Sequence, residues 1–151
     1  MPAAINTPFF TKAHTKLGVK PKGFPPIYQP GVVVDAILYS AEKAPWKIVA
    51  GSGGKGMLLT QRLSPRLMDA LMVRGGFGSQ MTDEPKSTAD PDGLFAPMSG
   101  QDRTEGEFGE QALPRSYLTW LDARPALRWS IWVAGAAVAL GALRAKSGER
   151  R

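Results

Sequence analysis

The chain has 151 residues and a formal net charge of +6, with 43% hydrophobic and 21% charged residues, enough for one modest domain and little room for a second. Seventeen glycines and thirteen prolines interrupt regular elements, so a substantial share must be loop. The lack of cysteine excludes disulfide frameworks, cysteine zinc sites, iron–sulfur clusters and thiol catalysis; a lone histidine, His14, excludes a multi-histidine metal site within one chain. No metal ligand is assigned.

The charge is uneven: residues 1–62 carry a net +6, residues 63–115 a net −4 and residues 116–151 a net +4. Lys12, Lys16, Lys20 and Lys22 are the only dense basic group, which reads as a solvated face rather than as a nucleic-acid stripe. No nucleic-acid partner is expected. Met1 to Pro8 has neither a basic n-region nor an apolar h-region, so no signal peptide is expected and a cytoplasmic location is.

Along the chain, residues 1–30 read as an extended start and a loop, rich in Pro and Lys with Phe9, Phe10, Phe24 and Tyr28. After Pro30, the positions Val33, Ala36, Ile37 and Ser40-Ala41 recur at helical spacing, with Asp35 and Glu42 opposite, until Pro45 stops the pattern. That predicts a helix over about 31–44. A β-prone run ends at Ala50 before Gly51, predicting a strand over 47–50. Met57 to Val73 is helical again, with Pro65 opening a second piece. From Gly75 to Pro114 no periodicity survives, and the stretch reads as largely irregular.

A hydrophobic helix is expected over 125–145. Trp129 to Leu143 carries no charge; fifteen residues span roughly 22 Å as a helix, short of the ~30 Å hydrocarbon core. Snorkelling by Arg128 and Arg144 would extend the reach, and Trp129 and Trp132 suit an interface. Membrane contact, spanning or embedded, therefore stands beside burial against a partner subunit or the rest of a larger protein. Arg124 and Arg128 flank one end and Arg144, Lys146, Arg150 and Arg151 the other, which leaves topology unassigned.

Two short motifs invite a catalytic reading. Gly51-Ser52-Gly53-Gly54-Lys55-Gly56 satisfies G-x-G-x-x-G between a strand and a helix. Its ribose acid would be Asp69, which falls in a helical pattern, and no second strand follows, so the favoured reading is a tight turn that needs Gly. A Walker loop fails because Gly56 follows Lys55. Tyr39 and Lys43 read Y-x-x-x-K, one helical turn apart on one face. Pro45 ends that helix at once, so both are taken as decoys, Tyr39 packed and Lys43 exposed, and no catalytic residue is assigned.

The order of features carries more. Pro2-Ala3-Ala4-Ile5-Asn6-Thr7-Pro8, the loop Pro25-Pro26-Ile27-Tyr28-Gln29-Pro30, a helix from about 31 to 44 and a strand at 47–50 ending in Gly together resemble the C-terminal part of a short-chain dehydrogenase/reductase. The likeness covers residues 2–74 and departs at Ala3, where that family carries Gly. It implies an α/β fold: the C-terminal part of a Rossmann-type doubly wound parallel sheet over 1–74, incomplete by itself, followed by an irregular acidic stretch over 75–115 and a tail over 116–151 with the apolar helix. It further implies NAD or NADP in the parent enzyme and hydride transfer between a small carbonyl and an alcohol. Ile5 and Thr7 become contacts to the nicotinamide carboxamide, Pro2 the rigid turn before them, and Phe9 and Phe10 the substrate lid. The catalytic Ser, the Tyr-Lys pair and the Gly-rich nucleotide turn precede this segment in the family, so the chain alone is expected to bind no cofactor and to be inactive. A homo-oligomer is compatible with this reading. The rival expectation is a small non-enzymatic, membrane-associated interaction protein anchored by residues 129–143.

Overall fold

The computed structural model describes residues 1–148, with side chains described through residue 141. Arg150 and Arg151, part of the expected basic flank, lie outside the described residues, as do the side chains of Arg144 and Lys146. Two compact units are formed, Met1–Thr119 and Trp120–Arg151.

The first unit is organised by short parallel pairings. Strand β1 (Ala4–Ile5) runs parallel to β3 (Ile27–Tyr28), with Asn6 N–H donating to Tyr28 O at 2.8 Å. On its other side the same segment bridges Ala50 in parallel through Pro2: Ala3 N–H donates to Ala50 O at 2.7 Å and Ala50 N–H to Met1 O at 2.9 Å. Beyond β3, Leu113 adds a further parallel bridge to Tyr28. Because peptide groups alternate sides along a strand, these bonds set the order Ala50, β1, β3, Leu113 across the sheet. Parallel strands need a long crossover, and α2 (Gly31–Lys43) supplies it from β3 past β1 to Ala50. The predicted strand over 47–50 thus contracts to one bridge. Its partner segment is itself only a few residues long, too short for a ladder of ordinary strand length.

Helix α2 matches its predicted span, closing on Ala44 in the left-handed region (φ 43°) with its N–H on Ser40 O, just before Pro45. Its seam differs from the expected one. Val32 and Ala36 are buried, Val33 packs beside them, and Ile37 is 61% exposed. Tyr28, Val32, Ala36 and Ala50 make the core, with Ala3, Ile5 and Ile48 at its margin. One narrow sheet covers only one stripe of the helix, which leaves Val34, Ile37 and Leu38 outside.

Helix α3 (Ser52–Leu63) begins five residues before the predicted Met57. At Ser64 the chain starts α4 (Pro65–Leu71): the serine side chain accepts from Leu67 N–H and Pro65 takes the first turn. A π-helical turn over Met72–Gly76 and the short α5 (Phe77–Ser79) follow. Within the stretch expected to be irregular, Met81–Pro85 forms β4, antiparallel to β2 (Val19–Pro21), and Thr82 Oγ1 donates to Lys20 O at 2.8 Å. The pairing sets Met81 opposite Pro21 and Pro85 opposite Val19, partners distant in sequence that local periodicity does not register.

The division between the units falls inside α6 (Tyr117–Asp122). In the second unit, Arg124 lies 4.1 Å from the Trp120 ring centroid and Arg128 pairs with Asp122 at 3.5 Å. Helix α7 (Pro125–Gly148) follows, exposing Trp129, Ile131, Trp132, Val133, Val138 and Leu140. Among the described residues no helix is long and apolar enough to cross a membrane, so the spanning expectation gains no support.

Gly51 has φ +106°, and a Cβ there would lie 2.6 Å from the Ala3 Cβ and 3.0 Å from the Tyr28 ring. Gly51→Ala therefore combines a strained backbone with a clash at the core margin, and should cost about 2 kcal/mol or more. Urea unfolding of the two proteins measures it; equal midpoints would refute the close approach.

Candidate functional site

In parallel α/β sheets ligands are received beyond the carboxyl ends of the strands, where backbone groups are left over and loops diverge. Here that end is Ile5-Asn6-Thr7-Pro8 with Gln29 beside it. Ile5 is half-buried in β1 and Thr7 half-buried just after it, its N–H turned back to Ile5 O at 3.0 Å. These two sequence-predicted contacts are brought together. Pro2 is not with them: it is exposed at the amino end of the same segment, engaged in the Ala50 bridge, and three extended residues put it about 10 Å from Ile5. Ala3 is extended and hydrogen-bonded to Ala50, so the position where the resembled family has Gly demands no left-handed backbone here.

The two lid candidates separate as well. Both belong to α1 (Phe9–Lys12) and stack edge to face at 5.3 Å, but Phe9 is 63% exposed while Phe10 is half-buried. Phe10 meets Phe108 at 5.8 Å, and a Cβ on Gly23 would come within 3.3 Å of its ring. Phe10 is thus a packing residue and Phe9 the exposed apolar surface of the pair.

Asn6, which sequence reasoning passed over, is the fully buried polar group of the site. Its Nδ2 donates to Gln29 Oε1 at 3.1 Å, its Oδ1 accepts from Phe108 N–H at 3.0 Å, and its backbone O accepts from Gly106 N–H at 3.1 Å. A buried amide must be satisfied on both its polar atoms, and the partners lie 23 and 102 residues away. Nothing local in the sequence signals them.

The Gly-rich turn is already in use. Gly51 N–H donates to Thr119 Oγ1 at 2.9 Å and Gly53 N–H to Tyr28 Oη at 3.1 Å. Ser52 Oγ lies 2.9 Å from Ser116 Oγ, and Lys55 Nζ donates to Leu118 O at 2.7 Å. A Cβ on Gly53 would lie 2.8 Å from Pro26. Two of the N–H groups that would cradle a pyrophosphate, those of Gly51 and Gly53, are satisfied by side chains of the same unit, and Gly51, Gly53 and Gly54 serve close packing. That donor set does not fit a dinucleotide phosphate. Tyr39 is half-buried near the end of α2 and Lys43 exposed in its last turn.

Two polar clusters tie the later chain to the start. His14 Nδ1 donates to Asp92 Oδ2 at 2.5 Å, and Lys86 Nζ donates to Thr11 O and Ala13 O at 2.7 and 2.9 Å, satisfying carbonyls at the end of α1. Hydrogen bonding from His14, helped by Leu94 N–H, holds the Asp92 carboxyl below the usual range. Lys20 sits between Glu107 and Glu84. Burial opposes its charge, yet the bonds from both carboxylates outweigh that and raise its pKa; the bond from Lys20 in turn lowers that of Glu107.

The chain is 31% identical over 125 residues to Uncharacterized oxidoreductase YxnA of Bacillus subtilis (strain 168), a match covering 82% of this chain. It spans 35% of that relative's length. No family model and no solved structure matches. An oxidoreductase-like relationship is what the comparison shows.

The Asp92 carboxyl is a stronger acid in the folded chain than in the unfolded one. Its contribution is therefore present in full above the ordinary carboxylate range and is lost as pH falls through the folded value, because the unfolded state takes up the proton first. His14→Gln should raise the Asp92 pKa back toward the ordinary carboxylate value and flatten the loss of stability on acidification. Carboxyl NMR titration with acid unfolding checks this, and an unmoved Asp92 titration would sink it.

Proposed function

We propose that this chain forms the nicotinamide-end loop, substrate lid and adjoining crossover of an NAD(P)-dependent short-chain oxidoreductase that interconverts a carbonyl and an alcohol. The observation that carries the reading is the junction of Ile5 and Thr7 at the carboxyl end of β1, in a parallel arrangement closed by α2, within a chain related to an oxidoreductase. Support also comes from what is left uncovered: Val34, Ile37 and Leu38 on α2 face outward, as expected of a helix whose second side packs against further sheet or helix in a longer polypeptide.

The nicotinamide group, when bound, supplies hydride chemistry. What this chain supplies is placement. The Thr7 hydroxyl can both donate and accept, and beside the Ile5 backbone it matches a carboxamide, which carries one acceptor and two donors. Phe9 offers an apolar face to exclude water from the transfer. Proton transfer and the dinucleotide phosphate are assigned to the rest of a longer enzyme, because the Gly51 and Gly53 N–H groups already have internal partners. The chain alone is then inactive.

A chimera tests this: the matched part of the Bacillus subtilis relative is replaced by the corresponding part of this chain, and oxidation of NADH and NADPH is followed with a panel of small carbonyl compounds. Activity is expected in the chimera and not in the isolated chain. Thr7→Val in the chimera should raise the cofactor KM about fivefold, the worth of one hydrogen bond of roughly 1 kcal/mol. A KM unchanged by that substitution would remove Thr7 from the site.

A further inference from the structure

We propose that residues 105–108 are a detachable strap that closes the carboxyl end of β1 with a peptide amide, covering the Asn6–Thr7 backbone against which a carboxamide held beside Ile5 and Thr7 would lie. The ligand half of this inference rests on the function proposed above; the strap does not. Three consecutive residues anchor it in different ways. Gly106 N–H donates to Asn6 O at 3.1 Å. Glu107 pairs with Lys20. Phe108 N–H donates to Asn6 Oδ1 at 3.0 Å while its ring meets Phe10 edge to face.

The fit at its centre admits only glycine. A Cβ on Gly106 would lie 2.5 Å from Thr7 O and 2.7 Å from Asn6 Oδ1, the first a backbone atom that cannot swing away. The strap therefore lies directly on the Asn6–Thr7 backbone, and it binds as amide to amide: peptide N–H donors on the oxygens of Asn6. A primary carboxamide held beside Ile5 and Thr7 would lie on the same Asn6–Thr7 backbone that Gly106 covers, so strap and ligand compete for one place.

Its attachments are the kind that open without the core. They comprise two N–H bonds, the bonds of a partly exposed Glu107 carboxylate to Lys20 and Thr11, and one ring edge, and neither helix nor strand runs through residues 101–111. The pairs Ala3–Ala50 and Asn6–Tyr28 belong to the sheet instead. Local openings select the first group and spare the second.

Amide hydrogen exchange on the full chain separates the cases, using Gly106→Ala to push the strap off the backbone and Glu107→Gln to loosen it gently. Phe108 N–H should exchange about tenfold faster in each variant, with Ala3, Asn6 and Ala50 unchanged. Acceleration of Ala3 and Ala50 in step with Phe108 in both variants would overturn the strap, because it would then be core. With nicotinamide as the probe, Ile5 to Thr7 resonances should respond at about tenfold lower concentration in Gly106→Ala than in the parent chain. An equal response in both would overturn competition. No response in either, with the exchange pattern as expected, would leave the strap standing and count against the carboxamide site.

Discussion

A tyrosine buried to 2% exposure imposes two demands, cover for its ring and a partner for its hydroxyl, and the way Tyr28 meets them organises residues 1–119. Its backbone O accepts from Asn6, which sets β1 on one side, and its bridge to Leu113 sets the later chain on the other. Val32 and Ala36 of α2 cover the ring together with Ala50. The hydroxyl accepts from Gly53 N–H, which fixes where α3 begins. The absence of a Cβ at Gly51 is the geometric condition for this, since that atom would lie 3.0 Å from the ring edge and 2.6 Å from the Ala3 Cβ. One residue thus couples the sheet, the crossover helix and the Gly-rich turn.

That coupling decides what the Gly-rich turn is. The same three glycines would serve a phosphate loop or a packing turn, and the spacing alone does not distinguish them. The distinction lies in where the N–H groups go. A phosphate loop keeps its donors open toward a ligand; here Thr119 and the Tyr28 hydroxyl take those of Gly51 and Gly53. In the function proposed above, the binding chemistry therefore falls past Ile5, where the chain turns into α1.

The legible parts of the sequence were those that act locally. Pro30 and Pro45 bracket α2, Ser64-Pro65 opens α4, and Gly51 punctuates the strand-to-helix turn, each through φ, ψ or capping preferences that one residue carries. Strand β4 was not legible, because Met81–Pro85 is mostly exposed and owes its form to β2. Asn6 was not legible for a related reason: an asparagine before Thr-Pro reads as a turn residue, and only the approach of Gly106 and Phe108 makes it a buried hub. The seam of α2 was misplaced by one residue because helical spacing finds a face, whereas the width of the sheet beneath decides how much of it is covered.

The uneven charge of the chain acquires a structural meaning from these contacts. The basic first part and the acidic middle meet at Lys20 with Glu84 and Glu107, and at His14 with Asp92. Partly exposed pairs of this kind are individually weak and weaken further with salt, so they cannot be what holds the middle segment down. The β2–β4 backbone bonds, the Asn6 amide and the Phe10–Phe108 contact have that role. What charge adds is selection among registers: a Gly- and Pro-rich segment with few apolar anchors can lie in many ways, and the alternatives that set acid against acid are removed. Opposite sign along the sequence therefore directs a loop-rich segment to its place, while hydrogen bonds and ring packing keep it there.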